Sequence, residues 1–419
     1  MTTHTAEIIG VGTELLLGNV ANTDAQLISQ GLSELGINVF YHTVVGDNPA
    51  RLRAAVDIAR RRADIIITTG GLGPTCDDLT KQTVAESFGR KMVFHEDIAE
   101  HIRSYFKDNL HALKMTENNL QQASFPEGSI ILQNDRGTAP GCAFSDGKNH
   151  VIMLPGPPRE CCAMFYKAAV PYLRSLSDSV IVSSNIRIFG SGESSVESKL
   201  RDLMNSLHNP TLAPYAKEGE VMLRATAKAR TESEAREMLV PVINKVREVI
   251  GDKIYGIDVN SLEEVVVSGM REKGLTLAVA ESCTGGLVTK RITDIPGCSD
   301  IFLGGVTAYA TKVKTSILGV PEETISKNSV VSPEVALAMA EGVKKALGAD
   351  VAVGITGIAG PSDAGIKKPI GNVYVALVSE QLCCCRELFL GEDRYRVRMM
   401  AANVALDMVR RFLQNLPIE

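Results

Sequence analysis

The chain is 419 residues long, which at roughly 150 residues per domain predicts two or three domains. Apolar residues make up 45% and charged residues 22%, ordinary globular values that exclude long disordered tracts. A net charge of −5 and an aromatic content of 5%, with no Trp, argue against a nucleic-acid partner, which needs basic surface and stacking faces.

The nine Cys are an odd number, and several are adjacent: Cys161 with Cys162, and Cys383 with Cys384 and Cys385. That pattern gives neither a disulfide framework nor the C-x-x-C spacing of a zinc site. Three consecutive residues of a strand alternate between its faces and do not converge on one metal. They read as small hydrophobes in a reducing compartment. Met1 to His4 lead straight into a strand-like segment, so no signal peptide is expected. No apolar run approaches the ~18 residues that span a membrane. The chain reads as cytoplasmic, without a membrane partner.

Strand and helix patterns alternate through residues 1–176. A strand over 6–11 precedes a helix from Asn22 to Leu35 stopped by Gly36, then a strand over 37–45 and a helix over 51–62. The β-branched run from Ala63 to Thr69 has the texture of a buried parallel strand. Shorter strands follow around Ile130, Ala143 and Ile152, and a helix after Pro157 and Pro158. Such alternation predicts a sheet covered by helices on both faces. Residues 177–257 read differently, as a small α+β domain in the order βαββα, with strands over 180–189 and near Tyr215 and Leu223. Its helices cover 194–206 and 231–250. The turn Gly190-Ser191-Gly192-Glu193 is either an anion nest or a plain strand-to-helix turn. Residues 251–260 read as a linker. A third α/β unit, 258–419, opens with a helix over 261–273 and a strand over 275–280, and closes with a helix over 394–413.

Three loops carry the first chemical signal. Thr68-Thr69-Gly70-Gly71-Leu72-Gly73-Pro74-Thr75-Cys76-Asp77-Asp78 leaves the strongest strand and opens a helix. Its glycines let a ligand approach the backbone, and Asp78 either holds a divalent metal that bridges phosphates or caps the helix. Gly137-Thr138-Ala139-Pro140-Gly141 and Leu154-Pro155-Gly156-Pro157-Pro158 also sit at strand ends, more rigid close-approach loops than plain turns need.

The second signal is Ala280-Glu281-Ser282-Cys283-Thr284-Gly285-Gly286, again between strand and helix. No GK[ST] follows, so it is not a Walker loop. Ser282 is a nucleophile or a helix cap. The His residues are His4, His42, His95, His101, His111, His150 and His208, so none falls in the third domain and a Ser-His-Asp triad within it is excluded. A Ser–Lys pair is the natural alternative, and Tyr309 and Lys314 of the segment Tyr309–Lys314 are candidates. Gly354-Ile355-Thr356-Gly357-Ile358-Ala359-Gly360-Pro361 is another strand-end loop. Arg394 and Arg398, one helical turn apart, suit a phosphate or ordinary helix ion pairs.

Taken together, GTELLLG at Gly12–Gly18, TGGLGPTCDD, GTAPG, LPGPPRE, AESCTGG, the Tyr309–Lys314 segment, GIAGP and GDR make the chain resemble the competence/damage-inducible CinA family over essentially its whole length. The resemblance implies an α/β fold: a three-layer molybdopterin-binding-like domain, the small α+β domain, and an α/β amidase domain. It implies metal-dependent hydrolysis of ADP-ribose by the first domain, with a divalent ion such as magnesium at Asp78. Gly70, Gly71, Gly73, Thr138, Gly156, Glu14 and Asn22 would then face the ligand. It implies a metal-free nicotinamide mononucleotide deamidase in the third domain. There Ser282 attacks, Lys314 and Tyr309 manage the proton, and backbone N–H groups near Cys283 and Thr284 hold the oxyanion, with Gly285 and Gly286 against the substrate. Gly357, Ile358, Ala359 and Gly360, with Arg394 and Arg398, would hold the ribose phosphate. A homodimer and no nucleic-acid partner complete the expectation. Two alternatives stand beside it: only the amidase is active, or the protein binds a nucleotide or pterin without turnover.

Overall fold

The computed structural model describes residues 4–75, 77–108, 115–176, 180–217, 219–362, 365 and 367–418; Cys76 and His111 lie outside them. The chain forms two compact units, residues 1–183 with 227–238, and residues 184–226 with 239–419.

In the first unit the strand Ile65–Thr69 is buried at every position. It lies inside a six-stranded sheet ordered Asn38–Val45, Thr5–Val11, Ile65–Thr69, His150–Leu154, Gly141–Ser145, Ile130–Leu132. The first four strands are parallel and the last two antiparallel. Successive residues of the central strands face opposite ways, and each face has its own core. Ile9, Ile66 and Met153 pack with Leu52, Val56, Val84 and Ile102. Ile8, Ile67 and Ile152 pack with Ile28, Leu32, Phe165 and Leu173. Helices on both faces make the three layers that the alternation predicts. Because Thr5–Val11, Ile65–Thr69 and His150–Leu154 are parallel, the loops that follow them emerge together at one edge of the sheet. That edge is where open α/β sheets bind ligands.

Two further sheets have most of their residues in the second unit. The smaller is ordered Thr211–Lys217, Glu220–Ala229, Val180–Phe189, Ile254–Ile257. Glu220–Ala229 alternates buried and half-buried along its length, the mark of one covered face. The expected linker is instead the fourth strand. Ile254–Ile257 pairs antiparallel with Val180–Phe189, and Tyr255 is buried with its hydroxyl donating to Glu220 at 2.6 Å. Short length hid it, since four residues with a glycine among them show no clear period.

The larger sheet is ordered Phe302–Thr307, Leu277–Glu281, Val351–Gly357, Asn372–Val378, Cys383–Phe389, parallel through the first three and antiparallel after. Val279, Val353 and Ile355 pack under the helices Leu262–Lys273 and Arg394–Leu413 through Val266, Met270, Ala401, Ala405 and Val409. On the other face Ala278, Ala280 and Ala352 meet Val335, Met339 and Val343 of the helix Pro333–Leu347. Cys383, Cys384 and Cys385 lie along the edge strand as free thiols. Among the described residues no helix is long and apolar enough to cross a membrane.

One charge sits inside the first sheet. Glu7 is fully buried and accepts from Arg62 Nε at 2.8 Å, Arg62 Nη2 at 2.7 Å and Thr43 Oγ1 at 2.6 Å. Arg62→Met strands that carboxylate, and urea unfolding should show a clear loss of stability. Glu7→Met with Arg62→Met should cost less than Arg62→Met alone, because no charge is then left unpaired.

Candidate active sites

The serine site is built where the strand Leu277–Glu281 ends. The Ser282 N–H donates to Ile355 O at 3.0 Å, and the Ala308 N–H donates to Glu281 O at 2.7 Å, so the loop is tied to a neighbour on each side. Gly285 and Gly286 then take the left-handed region, at φ +61° and +86°, which turns the chain into the helix Leu287–Thr293. The helix cap is not Ser282. Glu281, buried, accepts from Val288 N at 3.1 Å, Thr289 N at 2.8 Å and Thr289 Oγ1 at 2.8 Å. That leaves the serine hydroxyl for other work.

Its partner is Lys314, on the short helix Thr311–Ser316. Nζ lies 3.0 Å from Ser282 Oγ and donates to Ala308 O at 2.5 Å. Lys314 is 1% exposed and Ser282 8%. Burial disfavours the ammonium form and lowers the Lys314 pKa to about 8 from 10.5. A neutral amine keeps a lone pair, which can accept the serine proton. Cys283 next door is unlike this: burial pushes its thiol up to about 12, so little thiolate exists near neutrality. Thr284 Oγ1 is buried without a hydrogen-bond partner.

Tyr309 is 60% exposed, and its hydroxyl accepts from Arg394 at 3.1 Å rather than meeting Lys314. Arg394 also donates to Gly360 O at 2.6 Å. Arg398 grips Thr284 O with both Nε and Nη2, at 3.2 and 2.8 Å. Among the described residues neither arginine makes a helix ion pair; both hold loop carbonyls. In the GIAGP loop Ile358 is a core residue whose N–H donates to Asn372 O at 2.9 Å. A side chain at Gly357 would collide with Val373 and Asn372. This loop thus offers the backbone of Ala359 and Gly360, not all four residues.

The second site is a cavity of about 680 Å³ at the ligand edge of the first unit. Gly12, Glu14, Gly70, Gly71, Gly73, Asp78, Thr138 and Gly156 all line it. Asn22 does not appear on that wall; it caps the helix Thr23–Glu34, accepting from Ala25 N at 3.1 Å. Gly70 and Gly71 are required by the protein itself. A Cβ at Gly70 would lie 2.2 Å from Val11 O, and one at Gly71 would lie 2.1 Å from Thr80 Oγ1. Asp78 is not the helix cap, a place taken by Leu79. Its Oδ2 accepts from Thr75 N at 2.9 Å and Thr75 Oγ1 at 2.6 Å, which closes the loop over the cavity. Five carboxylates line the space (Glu14, Asp47, Asp77, Asp78 and Glu160), and no Lys, Arg or His does so among the described residues. Behind the wall Lys81 is buried, donates to Gln122 O at 2.6 Å, and has its pKa lowered to about 8 by burial.

Sequence reasoning missed Glu281, Lys81 and Gln122. A charged residue closing a buried strand was the available signal for Glu281. Nothing local marked the other two, which meet across distant segments.

A parallel-sheet protein with a serine–lysine pair at one strand end and an acidic, glycine-walled cavity at another defines the class. Comparison with known proteins agrees with it. Residues 259–413 match the CinA C-terminal domain, 7–175 the probable molybdopterin binding domain, and 183–256 the damage-inducible protein CinA KH domain. A CinA-like protein of Dictyoglomus turgidum is 48% identical over 98% of this chain and 99% of its own. A putative competence-damage inducible protein of Acetivibrio thermocellus is 45% identical, over 98% and 99%. The crystal structure of a competence/damage inducible protein from Agrobacterium tumefaciens, 34% identical, covers 36% of this chain and 93% of that one, with a TM-score of 0.35. The chain belongs to the CinA family. Its first domain is molybdopterin-binding-like, its middle domain KH-like and its last the CinA α/β domain.

The lysine assignment has a thermodynamic consequence. The folded chain loses the Lys314 proton near pH 8, while the unfolded chain keeps it to 10.5. Between those values the unfolded state binds more protons, so the folded state gains stability as pH rises. Urea unfolding at stepped pH should show the parent gaining up to ~3 kcal/mol on Lys314→Met across that window, and no relative change below it.

Proposed function

We propose that the second unit hydrolyses the carboxamide of nicotinamide mononucleotide to the carboxylate and ammonia. The observation that carries this reading is a buried, low-pKa lysine amine 3.0 Å from a serine hydroxyl. Ser282 Oγ attacks the amide carbon as its proton passes to Lys314 Nζ. The tetrahedral oxyanion takes N–H groups of the Cys283–Thr284 turn. Collapse breaks the C–N bond, and Lys314 returns the proton to the leaving ammonia. Water, deprotonated by the same amine, then hydrolyses the serine ester. Arg394 and Arg398 fix the loops around the site, and a ribose phosphate would meet them at Gly360 and Thr284.

For the first unit the reading is hydrolysis of the ADP-ribose pyrophosphate. Among the described residues no three His, Cys, Asp or Glu converge as a protein-only metal cage. The donors fit a magnesium-type ion held by the Asp78 carboxylate together with ligand phosphates, the usual mode for that ion. Bound there, it would supply the positive charge that the acidic wall lacks. Asp78 and its Thr75 contacts orient the loop, while Thr138 and the glycine backbone place the ligand.

Both readings are tested with purified full-length protein. Ser282→Ala should lower deamidation by about 10³-fold or more and leave ADP-ribose turnover intact, while Asp78→Asn should do the reverse. Cys283→Ala should keep most deamidation, whose rate should rise through one ionisation at about pH 8. Loss of turnover in Cys283→Ala with Ser282→Ala near the parent would move the nucleophile to the thiol. Binding of either nucleotide without turnover would make that unit a sensor.

A further inference from the structure

The cavity of the first unit contains a polar group that neither the phosphate nor the metal reading uses. Gln122 closes the turn Glu117–Ala123 and is 1% exposed. Its main-chain carbonyl is pinned by Lys81 Nζ, which also sits 4.2 Å over the Phe125 ring. Its side-chain oxygen is different: buried, on the cavity wall with Asp78 and Thr138, and without any hydrogen-bond partner.

Buried polar atoms in folded proteins are nearly always paired, and an unpaired one is costly enough to need an explanation. Here the explanation is on the page. Gln122 lines the cavity, and the rest of the wall supplies carboxylates and backbone rather than cationic donors. An amide oxygen in an acidic cavity is complementary to a neutral O–H or N–H donor, not to a phosphate. We propose that Gln122 reads the nucleoside part of the ligand, its side-chain oxygen accepting a hydrogen bond from a ribose hydroxyl or an exocyclic amino group. The phosphates then lie toward Asp78 and the Gly70–Gly73 loop. This rests on the nucleotide reading of the cavity and assigns its specificity to a residue outside every glycine loop. A site built to pair such a donor also rejects ligands that lack it.

The test is calorimetric, on the full chain with magnesium, using ADP-ribose, ADP, 2′-deoxy-ADP, inosine diphosphate and inorganic pyrophosphate. Gln122→Met keeps the shape and removes the acceptor. It should bind ADP-ribose and ADP at least ~10-fold more weakly than the parent while binding pyrophosphate equally. The analogue that the parent already binds weakly, deoxy or inosine, identifies the donor. Equal binding of every nucleotide by parent and variant overturns the Gln122 assignment and leaves the nucleotide reading standing. A parent that binds pyrophosphate but no nucleotide, or nothing at all, overturns both. Should Gln122→Met not fold, Gln122→Asn, which keeps the amide but shortens its reach, carries the same expectation.

Discussion

The 3.0 Å contact between Lys314 Nζ and Ser282 Oγ is the interaction on which the second unit depends. It needs an amine that is neutral in a folded protein, and a surface lysine cannot provide one. The fold supplies the conditions by burial. Lys314 rides a short helix directly after the edge strand Phe302–Thr307, and the Ala308 carbonyl that follows this strand fixes the amine from the other side. Glu281 takes over the capping of the next helix, so Ser282 is not consumed by it. The arginines of the C-terminal helix complete the frame by holding Thr284 and Gly360. Each contact is ordinary alone; together they set one hydroxyl against one amine whose proton is lost near pH 8.

The first unit solves an opposite electrostatic problem. Its cavity gathers carboxylates without a cationic side chain among the described residues, so a pyrophosphate entering alone meets like charge. The glycines there serve first to let three parallel strand-end loops approach one another, as the short distances from Gly70 to Val11 and from Gly156 to Gly70 require. Chemistry in this unit therefore depends on what the ligand brings with it. In the second unit it depends on what the protein has buried.

Much of this was legible in the sequence. The continuous β-branched run gave the central strand of the first sheet, and the helices read over 261–273 and 394–413 stand at Leu262–Lys273 and Arg394–Leu413. The absence of His beyond His208 pointed to lysine as the base. What stayed hidden depended on tertiary contact. The four-residue strand Ile254–Ile257 looked like a linker because too few residues were present to show a period. Tyr309 was placed with Lys314 from proximity in sequence, yet it faces Arg394, on a helix far along the chain. Ile358 came into the ligand set with the backbone of its loop, and the structure places its side chain in the core. The cause of the lysine shift was also open, and burial rather than a neighbouring cation supplies it.

The most direct measurement is a pH titration of the lysine side chains by NMR, with 13C at Cε and with Lys314→Met for assignment. The Lys314 resonance, identified by its absence from the variant, should titrate near 8 in the folded protein, well below the ordinary lysine value of 10.5. Lys81 should be displaced in the same direction, and its resonance should persist in the variant. A Lys314 that titrates at or above the ordinary value would be an ammonium ion at neutrality. It could not accept the serine proton, and the catalytic account of the second unit would fail.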